Sequence, residues 1–356
     1  MNMKGKRALL VLLCLALASL TGCGENQGQP AGEADVQEDV MQIGITFDSF
    51  IIERWQRDRD VFVSAARELG AEVNVQNANG DLQEQIAQID YFIKKKVDAI
   101  VIVMVASEED TGNFLAAVER AQRAGIPVIA YDRLILNADV DLYISFDNVQ
   151  VGRLMGEHMR EHLGEDGQIL QICGPLADYN VPQIMSGFAE VLEGTDEEIV
   201  QTEHAEGWHA ETGFTVTGSY LGTGRVPDGI MCGNDSIAGH AIRALSEQRL
   251  AGDVCVVGQD ADLDACQRIV EGTQCMTVYK PVEKLARRAA ELAVILAEGG
   301  GQLQMEETIY DGTYDVPYER LEPYAVTKDN MDEIITGKYH EEDDIYLNVS
   351  RQNKNQ

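Results

Sequence analysis

The chain has 356 residues, of which 45% are hydrophobic and 25% are charged, so it can bury one large or two medium-sized cores and is not a disordered protein. Its 60 acidic residues outnumber 28 basic residues, which gives a formal net charge of -32 at pH 7. Nucleic acid and anionic membrane surfaces are therefore disfavoured as partners, because both would repel the chain. A neutral ligand is compatible with this charge.

The amino terminus has the features of an export signal. Basic residues precede an apolar run from Ala8 to Leu20, which is too short to span a bilayer comfortably. The run ends in Leu20-Thr21-Gly22-Cys23, which resembles the site at which bacterial lipoproteins are acylated on a cysteine. We therefore predict a signal peptide over 1–22, lipid attachment at Cys23 and a flexible polar tether over 23–40. The alternative is an uncleaved anchor helix.

From Met41 onward, short apolar runs alternate with amphipathic helical patterns, as in parallel sheets covered by helices on both faces. The alternation restarts at about residue 149, and it is longer than one sheet conveniently holds. We therefore predict an α/β fold with two doubly wound parallel-sheet lobes. The predicted elements are strand 42–47, helix 54–69, strand 72–76, helix 81–95, strand 99–105, helix 109–124, strand 127–131, helix 149–163, strand 168–173, helix 182–192, strand 198–203, a helix from 210, strand 229–232, helix 237–248, strand 254–258, helix 263–270 and strand 273–278.

Unusual polar residues follow the predicted strands, where open parallel sheets bind their ligands. These residues are Asp132, Arg133, Asp178, Asn180, Trp208, Asn234, Asp260 and Lys280. A carboxylate can accept hydrogen bonds from neighbouring hydroxyls, Arg and Asn offer paired donors, and an indole can cover the C–H face of a sugar ring. Any one of these residues alone could be a strand-end cap or a surface charge. Together they predict a cleft for a ligand rich in hydroxyls.

Two other patterns have simpler interpretations. His158-Met159-Arg160-Glu161-His162 has the H-x-x-E-H order of one class of zinc peptidases, but no third ligand follows, so we interpret it as a solvent-exposed helix face. The acidic segment 341–344 matches no calcium-binding spacing. We therefore predict no metal and no cofactor.

Five cysteines follow the signal and the lipid-attachment site, without the C-x-x-C spacing of a metal or redox motif. They are Cys173, Cys232, Cys255, Cys266 and Cys275. Most of them lie in apolar, strand-like runs, and we interpret them as small core residues. A disulfide between Cys266 and Cys275 is the one pairing we consider.

Five segments carry a family resemblance through their order and spacing. They are Ile52–Asp60 (IERWQRDRD), Ala130–Arg133 (AYDR), Tyr143–Asn148 (YISFDN), Gly258–Leu263 (GQDADL) and Met276–Pro281 (MTVYKP). They resemble the D-xylose-binding proteins of sugar ABC importers, which belong to the type I periplasmic sugar-binding proteins. The resemblance extends from about Met41 to Asn330. It departs from the family pattern in the loop from Cys173 to Tyr179, at Pro175 and Tyr179, which bears on discrimination among aldoses.

The resemblance implies a role for each candidate residue. Arg54, Asp132 and Arg133 would line the amino-terminal side of the cleft, and Lys280 would lie near the hinge. The opposite side would be lined by Asp178, Asn180, Trp208, Asn234 and Asp260.

The resemblance also implies three chain crossings between the lobes, near Asp147, Pro281 and Val316, which would let the lobes close as a hinge. The expected domains are an amino-terminal lobe over 41–146 and 282–315, a carboxy-terminal lobe over 147–281 and 316–347, and a polar tail over 348–356.

The expected function is that of a lipid-anchored, extracytoplasmic binding protein of a sugar ABC transporter. It would bind D-xylose by hinge closure, without a reaction, and deliver it as a monomer to a membrane permease with its ATPase. Three alternatives are left open: another aldose such as glucose, arabinose, ribose or galactose, a sensor that presents its sugar to a membrane receptor, and a carbohydrate-active enzyme.

Overall fold

Strands and helices alternate along most of the chain. The structure is a computed structural model that describes residues 40–299 apart from 108 and 165, residue 303, and residues 305–349. The predicted signal peptide, the lipid-attachment residue Cys23, nearly all of the tether and most of the polar tail lie outside the described residues.

The described elements begin and end as follows. The strands are β1 (Met41–Phe47), β2 (Ala71–Asn77), β3 (Ala99–Ile102), β4 (Val128–Tyr131), β5 (Leu142–Phe146), β6 (Gln168–Cys173), β7 (Glu198–His204), β8 (Gly229–Cys232), β9 (Cys255–Gln259), β10 (Met276–Tyr279), β11 (Glu307–Tyr310), β12 (Asp315–Leu321) and β13 (Tyr324–Val326). The helices are α1 (Arg54–Glu68), α2 (Leu82–Lys95), α3 (Thr111–Arg123), α4 (Asn148–His162), α5 (Asn180–Leu192), α6 (Glu211–Gly222), α7 (Asp235–Glu247), α8 (Leu263–Glu271), α9 (Val282–Ala297), α10 (Met331–Ile334) and α11 (Glu342–Ile345).

The strands form two sheets, one in each lobe. The first sheet has the order β11-β12-β5-β4-β3-β1-β2, and the second has the order β13-β10-β9-β8-β6-β7. All neighbouring strands pair in parallel except β11 with β12 and β13 with β10, which are antiparallel pairs at the sheet edges. The predicted two-lobed α/β class is confirmed, with each sheet mixed rather than purely parallel.

The central strands are apolar and buried because helices cover both faces of each sheet. β3, β4 and β5 are buried along their whole lengths, as are β8 and β9. Each core therefore holds its parallel strands rigidly, with their carboxyl ends on the same edge. This arrangement fixes where the loops that follow β4, β6, β9 and β10 emerge.

The chain passes between the two sheets at three places. It leaves the first sheet after β5, and it returns after β10 through α9, which packs on α1, β1, β3 and β5. We expected the third crossing near Val316, and this position was wrong. β12 pairs in parallel with β5, from Tyr318 with Tyr143 to Leu321 with Phe146, so the chain enters the second sheet only at β13.

α4 and α5 approach each other closely, and their amino ends are in contact. A Cβ atom at Gly152 would collide with the carbonyl of Ile184, and a Cβ atom at Gly187 would collide with the carbonyl of Val149. Glycine at both positions therefore permits the approach. At the amino ends, the side-chain amide of Asn148 donates a hydrogen bond of 2.9 Å to Asn180.

The last described segment covers one end of the second lobe. Met331, Tyr339 and Ile345 are buried and pack with Cys266 and Ile269 of α8. The His340 ring reaches further in, and its Nε2 lies 2.8 Å from the carbonyl oxygen of Ala261. This segment thus holds the loop that follows β9.

The cysteines of the described part are all free, and four of the five are buried. The considered disulfide between Cys266 and Cys275 is not formed. Cys266 lies in α8 with its thiol near the carbonyl of Ala261, whereas Cys275 is half-buried just before β10. No helix in the described part of the chain combines the length and the apolarity needed to cross a membrane.

Candidate functional site

A small cavity of about 20 Å³ lies between the lobes at the carboxyl ends of the strands. It is far smaller than typical ligand pockets, roughly 300–1,000 Å³, so the two walls are nearly in contact in this structure. The residues that line it are Ile52, Arg54, Trp55, Asp132, Arg133, Asp178, Asn180, Trp208, Gln259, Asp260 and Lys280. Eight of the nine residues predicted from the sequence therefore meet here.

Asn234 is the ninth predicted residue, and it is not among the described residues that line the cavity. Its side-chain oxygen accepts a 2.9 Å hydrogen bond from the backbone N–H of Ile237 and so caps α7. Polar residues that follow strands are also good helix caps, because a helix begins there. The sequence pattern does not separate these two uses.

Arg54 begins α1 and lies buried at the centre of the first lobe's wall. Its guanidinium pairs with Asp132, lies 3.6 Å from a carboxylate oxygen of Asp58, and lies 3.8 Å from one of Asp260 across the cleft. The same group stacks over the Trp55 ring, 4.2 Å from the ring centre. A buried arginine with these partners is held in one orientation.

Arg133 makes a second link between the lobes. Its guanidinium pairs with Asp48 of its own lobe and with Asp178 of the other, and it donates a 2.8 Å hydrogen bond to the carbonyl of Met104. All three side chains are nearly inaccessible to solvent, so each charge depends on its partner.

The second lobe's wall has one further contact with the first wall and two contacts of its own. The side-chain amide of Asn180 donates a 3.0 Å hydrogen bond to Asp132 across the cleft. The indole N–H of Trp208 donates a 3.2 Å hydrogen bond to Asp178, and Lys280 Nζ lies 2.7 Å from an oxygen of Asp260. The two walls therefore form one continuous network around the cavity.

Glycines beneath Trp208 let its ring lie flat against the end of the second sheet. A Cβ atom at Gly174 would collide with the far edge of the indole, and one at Gly233 would crowd both Gly174 and the ring. These glycines follow β6 and β8 directly. The two glycines therefore let the indole pack flat, with one apolar face towards the cavity.

Three of the lining residues have left-handed backbone conformations that are uncommon outside glycine. Asp132 has φ 65°, Trp208 has φ 59° and Asp260 has φ 99°, and Ala261 follows with φ 53°. Such conformations cost on the order of 1–3 kcal/mol each and persist only where the surrounding structure enforces them. Their concentration around one cavity marks it as the functional site.

The carboxyl groups of the two walls differ electrostatically. Burial would raise the pKa of Asp132, but the positive charges of Arg54, Lys280 and Arg133 outweigh it and hold that pKa below its usual value. Burial raises the pKa of Asp178, and the nearby Arg133 offsets only part of this effect. Behind the first wall, burial raises the pKa of Asp58 to about 7 despite Arg54.

The sequence analysis did not identify two of the lining residues, Trp55 and Gln259, as site residues. Among the described residues, neither the indole N–H of Trp55 nor the amide oxygen of Gln259 has a hydrogen-bond partner, although both atoms are buried. Buried polar atoms are rarely left unpaired, so one donor and one acceptor are available to a ligand here. Both residues lie within the quoted family motifs, next to Arg54 and Asp260, and this adjacency was the only sequence signal.

The charges at the cavity balance. Three lining cations, Arg54, Arg133 and Lys280, face three lining carboxylates. A site with balanced, mutually paired charges and spare hydrogen-bonding atoms suits a neutral polar ligand, because a charged ligand would leave one partner uncompensated. Fold and cavity together define a two-lobed α/β binding protein that encloses a small neutral molecule between its lobes.

Comparisons with known proteins agree with this class. Residues 43–301 match the family model described as the periplasmic binding protein domain. The chain is 39% identical over 313 residues to the D-xylose-binding periplasmic protein of Haemophilus influenzae and 38% identical over 312 residues to that of Escherichia coli, in each case covering 86% of this chain and 92% of the relative. The chain therefore belongs to the periplasmic binding protein family.

The fold also resembles solved structures of that family. A carbohydrate transporter solute-binding protein from Chloroflexus aurantiacus, in complex with D-glucose, superposes with a TM-score of 0.76 at 26% identity and covers 85% of this chain and 98% of its own.

Proposed function

We propose that this protein is the sugar-binding component of an ABC importer and that its ligand is D-xylose. The observation that carries the proposal is the cavity itself, where balanced charges from both lobes surround the unpaired N–H of Trp55 and the unpaired oxygen of Gln259. The two relatives named D-xylose-binding periplasmic proteins support the choice of sugar, because they match 86% of this chain at 38–39% identity.

Selectivity in such a site follows from hydrogen-bond satisfaction. A buried donor or acceptor that a ligand fails to pair costs about 1–3 kcal/mol, so a sugar with one hydroxyl missing or inverted binds more weakly. The ligand would hold the lobes together because only the closed form contacts it from both sides. A permease could then distinguish loaded from empty protein. No reaction is proposed.

The test of the ligand is a thermal-shift panel on the protein lacking residues 1–23, with D-xylose, D-ribose, L-arabinose, D-glucose and D-galactose at matched concentrations. A ligand that binds only the folded form raises its stability. We expect D-xylose to give the largest increase in Tm. A larger increase with a different sugar would reassign the ligand, and no increase with any sugar would contradict the proposal.

We also propose that Cys23 carries the lipid that anchors the exported protein at the extracytoplasmic face of the membrane. The sequence Leu20-Thr21-Gly22-Cys23 after a short apolar run supports this. In bacterial cells fed a labelled fatty acid, the wild-type chain should incorporate label and fractionate with membranes. Cys23→Ala should do neither, and a labelled Cys23→Ala chain would contradict the proposed anchor.

A further inference from the structure

A cluster of metal-ligating side chains lies at the carboxyl end of α4. His158, Glu161 and His162 lie three and four residues apart, so they share one face of the helix. One possible ligand atom of each lies within 4.8 Å of the other two, and the two imidazole rings have centres 4.1 Å apart. Two donors on one tetrahedral zinc ion lie about 3.4 Å apart, because zinc–ligand distances are about 2.0–2.2 Å. Side-chain rotations that shorten the present separations by up to about 1.4 Å would bring all three onto one ion.

The hydrogen bond of His162 prepares its ring for a metal. Its Nδ1 lies 2.8 Å from the carbonyl oxygen of His158. A carbonyl only accepts, so Nδ1 must carry the hydrogen, and in the neutral ring Nε2 keeps its lone pair. Histidines that bind metals commonly have their other ring nitrogen hydrogen-bonded in this way.

His158 lies deeper in the same cluster. Its Nε2 is buried and has no hydrogen-bond partner among residues that the structure describes. A buried imidazole nitrogen without a partner, beside two other potential ligands, is the feature that a solvent-exposed helix face does not explain.

We propose that His158, Glu161 and His162 bind a borderline-soft divalent transition metal of which Zn²⁺ is the representative, with the fourth coordination position left to solvent. Imidazole and carboxylate are ligands that zinc uses, whereas Ca²⁺ and Mg²⁺ prefer all-oxygen sites.

The metal site is separate from the sugar cavity. α4 begins at Asn148, which contacts Asn180 in the cleft wall, and His158 follows ten residues later. At a rise of 1.5 Å per residue the two ends are about 15 Å apart along the helix. Sugar affinity is therefore the control for an intact fold in every variant of the metal site.

The direct test is calorimetric titration of the full, reduced chain, prepared without a polyhistidine tag, with Zn²⁺. We expect one equivalent to bind, and His158→Ala and His162→Ala each to weaken binding at least tenfold with unchanged sugar affinity. Glu161→Gln, at an exposed position, should weaken it severalfold. His240→Ala is the matched control, because His240 makes the same ring-to-carbonyl hydrogen bond on α7, at 3.1 Å from Ser236, without clustered ligands among the described residues.

Cobalt gives a second readout. The Co²⁺ form of the wild-type chain should show visible d–d bands that His158→Ala and His162→Ala lack. Absence of stoichiometric Zn²⁺ binding, wild-type affinity in both histidine variants, or a Co²⁺ spectrum unchanged by their substitution would overturn the site.

Discussion

The cleft has one wall on each lobe, and the two walls carry different polar groups. The first wall presents two guanidinium groups and one carboxylate, with a tryptophan beneath them. The second wall presents two carboxylates, two carboxamides, an indole and the ammonium group of Lys280. Contacts across the cleft join donors of one wall to acceptors of the other, as in Arg133 with Asp178 and Arg54 with Asp260.

This difference explains how one sugar can hold two lobes together. Each hydroxyl of a sugar donates one hydrogen bond and accepts others, so it can accept from a guanidinium on one wall and donate to a carboxylate on the other. The complementarity of the walls is thus as important as the composition of either.

Arg133→Met should give the largest effect, because Arg133 is the cation that links Asp48 on one wall to Asp178 on the other. Removing one partner of a buried ion pair costs about 3–5 kcal/mol, and about 2.8 kcal/mol corresponds to a hundredfold change in affinity. We expect calorimetry to show at least a hundredfold weaker binding of D-xylose.

The control for this variant is Arg153→Met, which removes the exposed ion pair of Arg153 with Glu190 on α4 and α5. Exposed pairs contribute little, so affinity should stay within about twofold. Circular dichroism must show that Arg133→Met is folded. Wild-type affinity in folded Arg133→Met would show that the two walls do not depend on this link.

Trp208→Ala should weaken binding at least tenfold, because it removes the apolar surface of the second wall and the N–H that donates to Asp178. Trp208→Phe keeps a ring but not the donor, and we expect an intermediate affinity. Gly174→Ala should resemble Trp208→Ala, since the added methyl would displace the indole. Equal affinities for wild type and Trp208→Ala would remove the indole from the sugar site.

Asp132 and Asp178 should show opposite pH dependences. Asp178 has a raised pKa in the folded protein, so its contribution to stability is complete below the unfolded value of about 3.9 and is lost as the pH rises through the folded value. Asp132 has a lowered pKa, so its contribution is present above the unfolded value and is lost as the pH falls through the folded value.

Urea unfolding between pH 3.5 and 7 measures this difference. The stability lost in Asp178→Asn relative to wild type should shrink as the pH rises, whereas the loss in Asp132→Asn should grow, with slopes of at most about 1.4 kcal/mol per pH unit for each group. Slopes of the same sign would mean that the two walls share one electrostatic environment.

Most of the fold could be predicted because the sequence patterns that indicate its strands and helices are local. Buried strands such as β4 and β9 are short apolar runs, and the polar residues after them mark the functional edge of the sheet. The strand β5 and the helix α9 were not predicted as elements, and the third crossing was misplaced at Val316. The pairing of β12 with β5 joins segments about 175 residues apart, and no local pattern encodes it.

The candidate site was predictable in its residues but not in their contacts. Arg54 was assigned through the family resemblance alone, since it follows β1 by several residues. Trp55 and Gln259 were overlooked because burial without a partner is a property of the packed structure. Asn234 shows the converse, because a residue that follows a strand can cap the next helix instead of lining the cavity.

His340→Ala should give the smallest effect on sugar affinity, because His340 contacts the second wall only from behind. Asp132 in the first wall and Asp260 and Ala261 in the second all have left-handed backbones. The carbonyl of Asp132 accepts a hydrogen bond from Ser145 of its own sheet, whereas the carbonyl of Ala261 is bound by His340 from the distant tail. Loss of this hydrogen bond should loosen Asp260 and weaken D-xylose binding about threefold to fivefold.

His340→Gln can still donate to the carbonyl and should recover most of the affinity, which a purely structural loss would not predict. His240→Ala, in the same lobe, should bind like wild type. If His340→Ala binds sugar normally, then the strand β9 and its neighbours suffice to hold Asp260. In that case the second wall would be as self-supporting as the first, because the tail would cover the lobe without orienting its carboxylate.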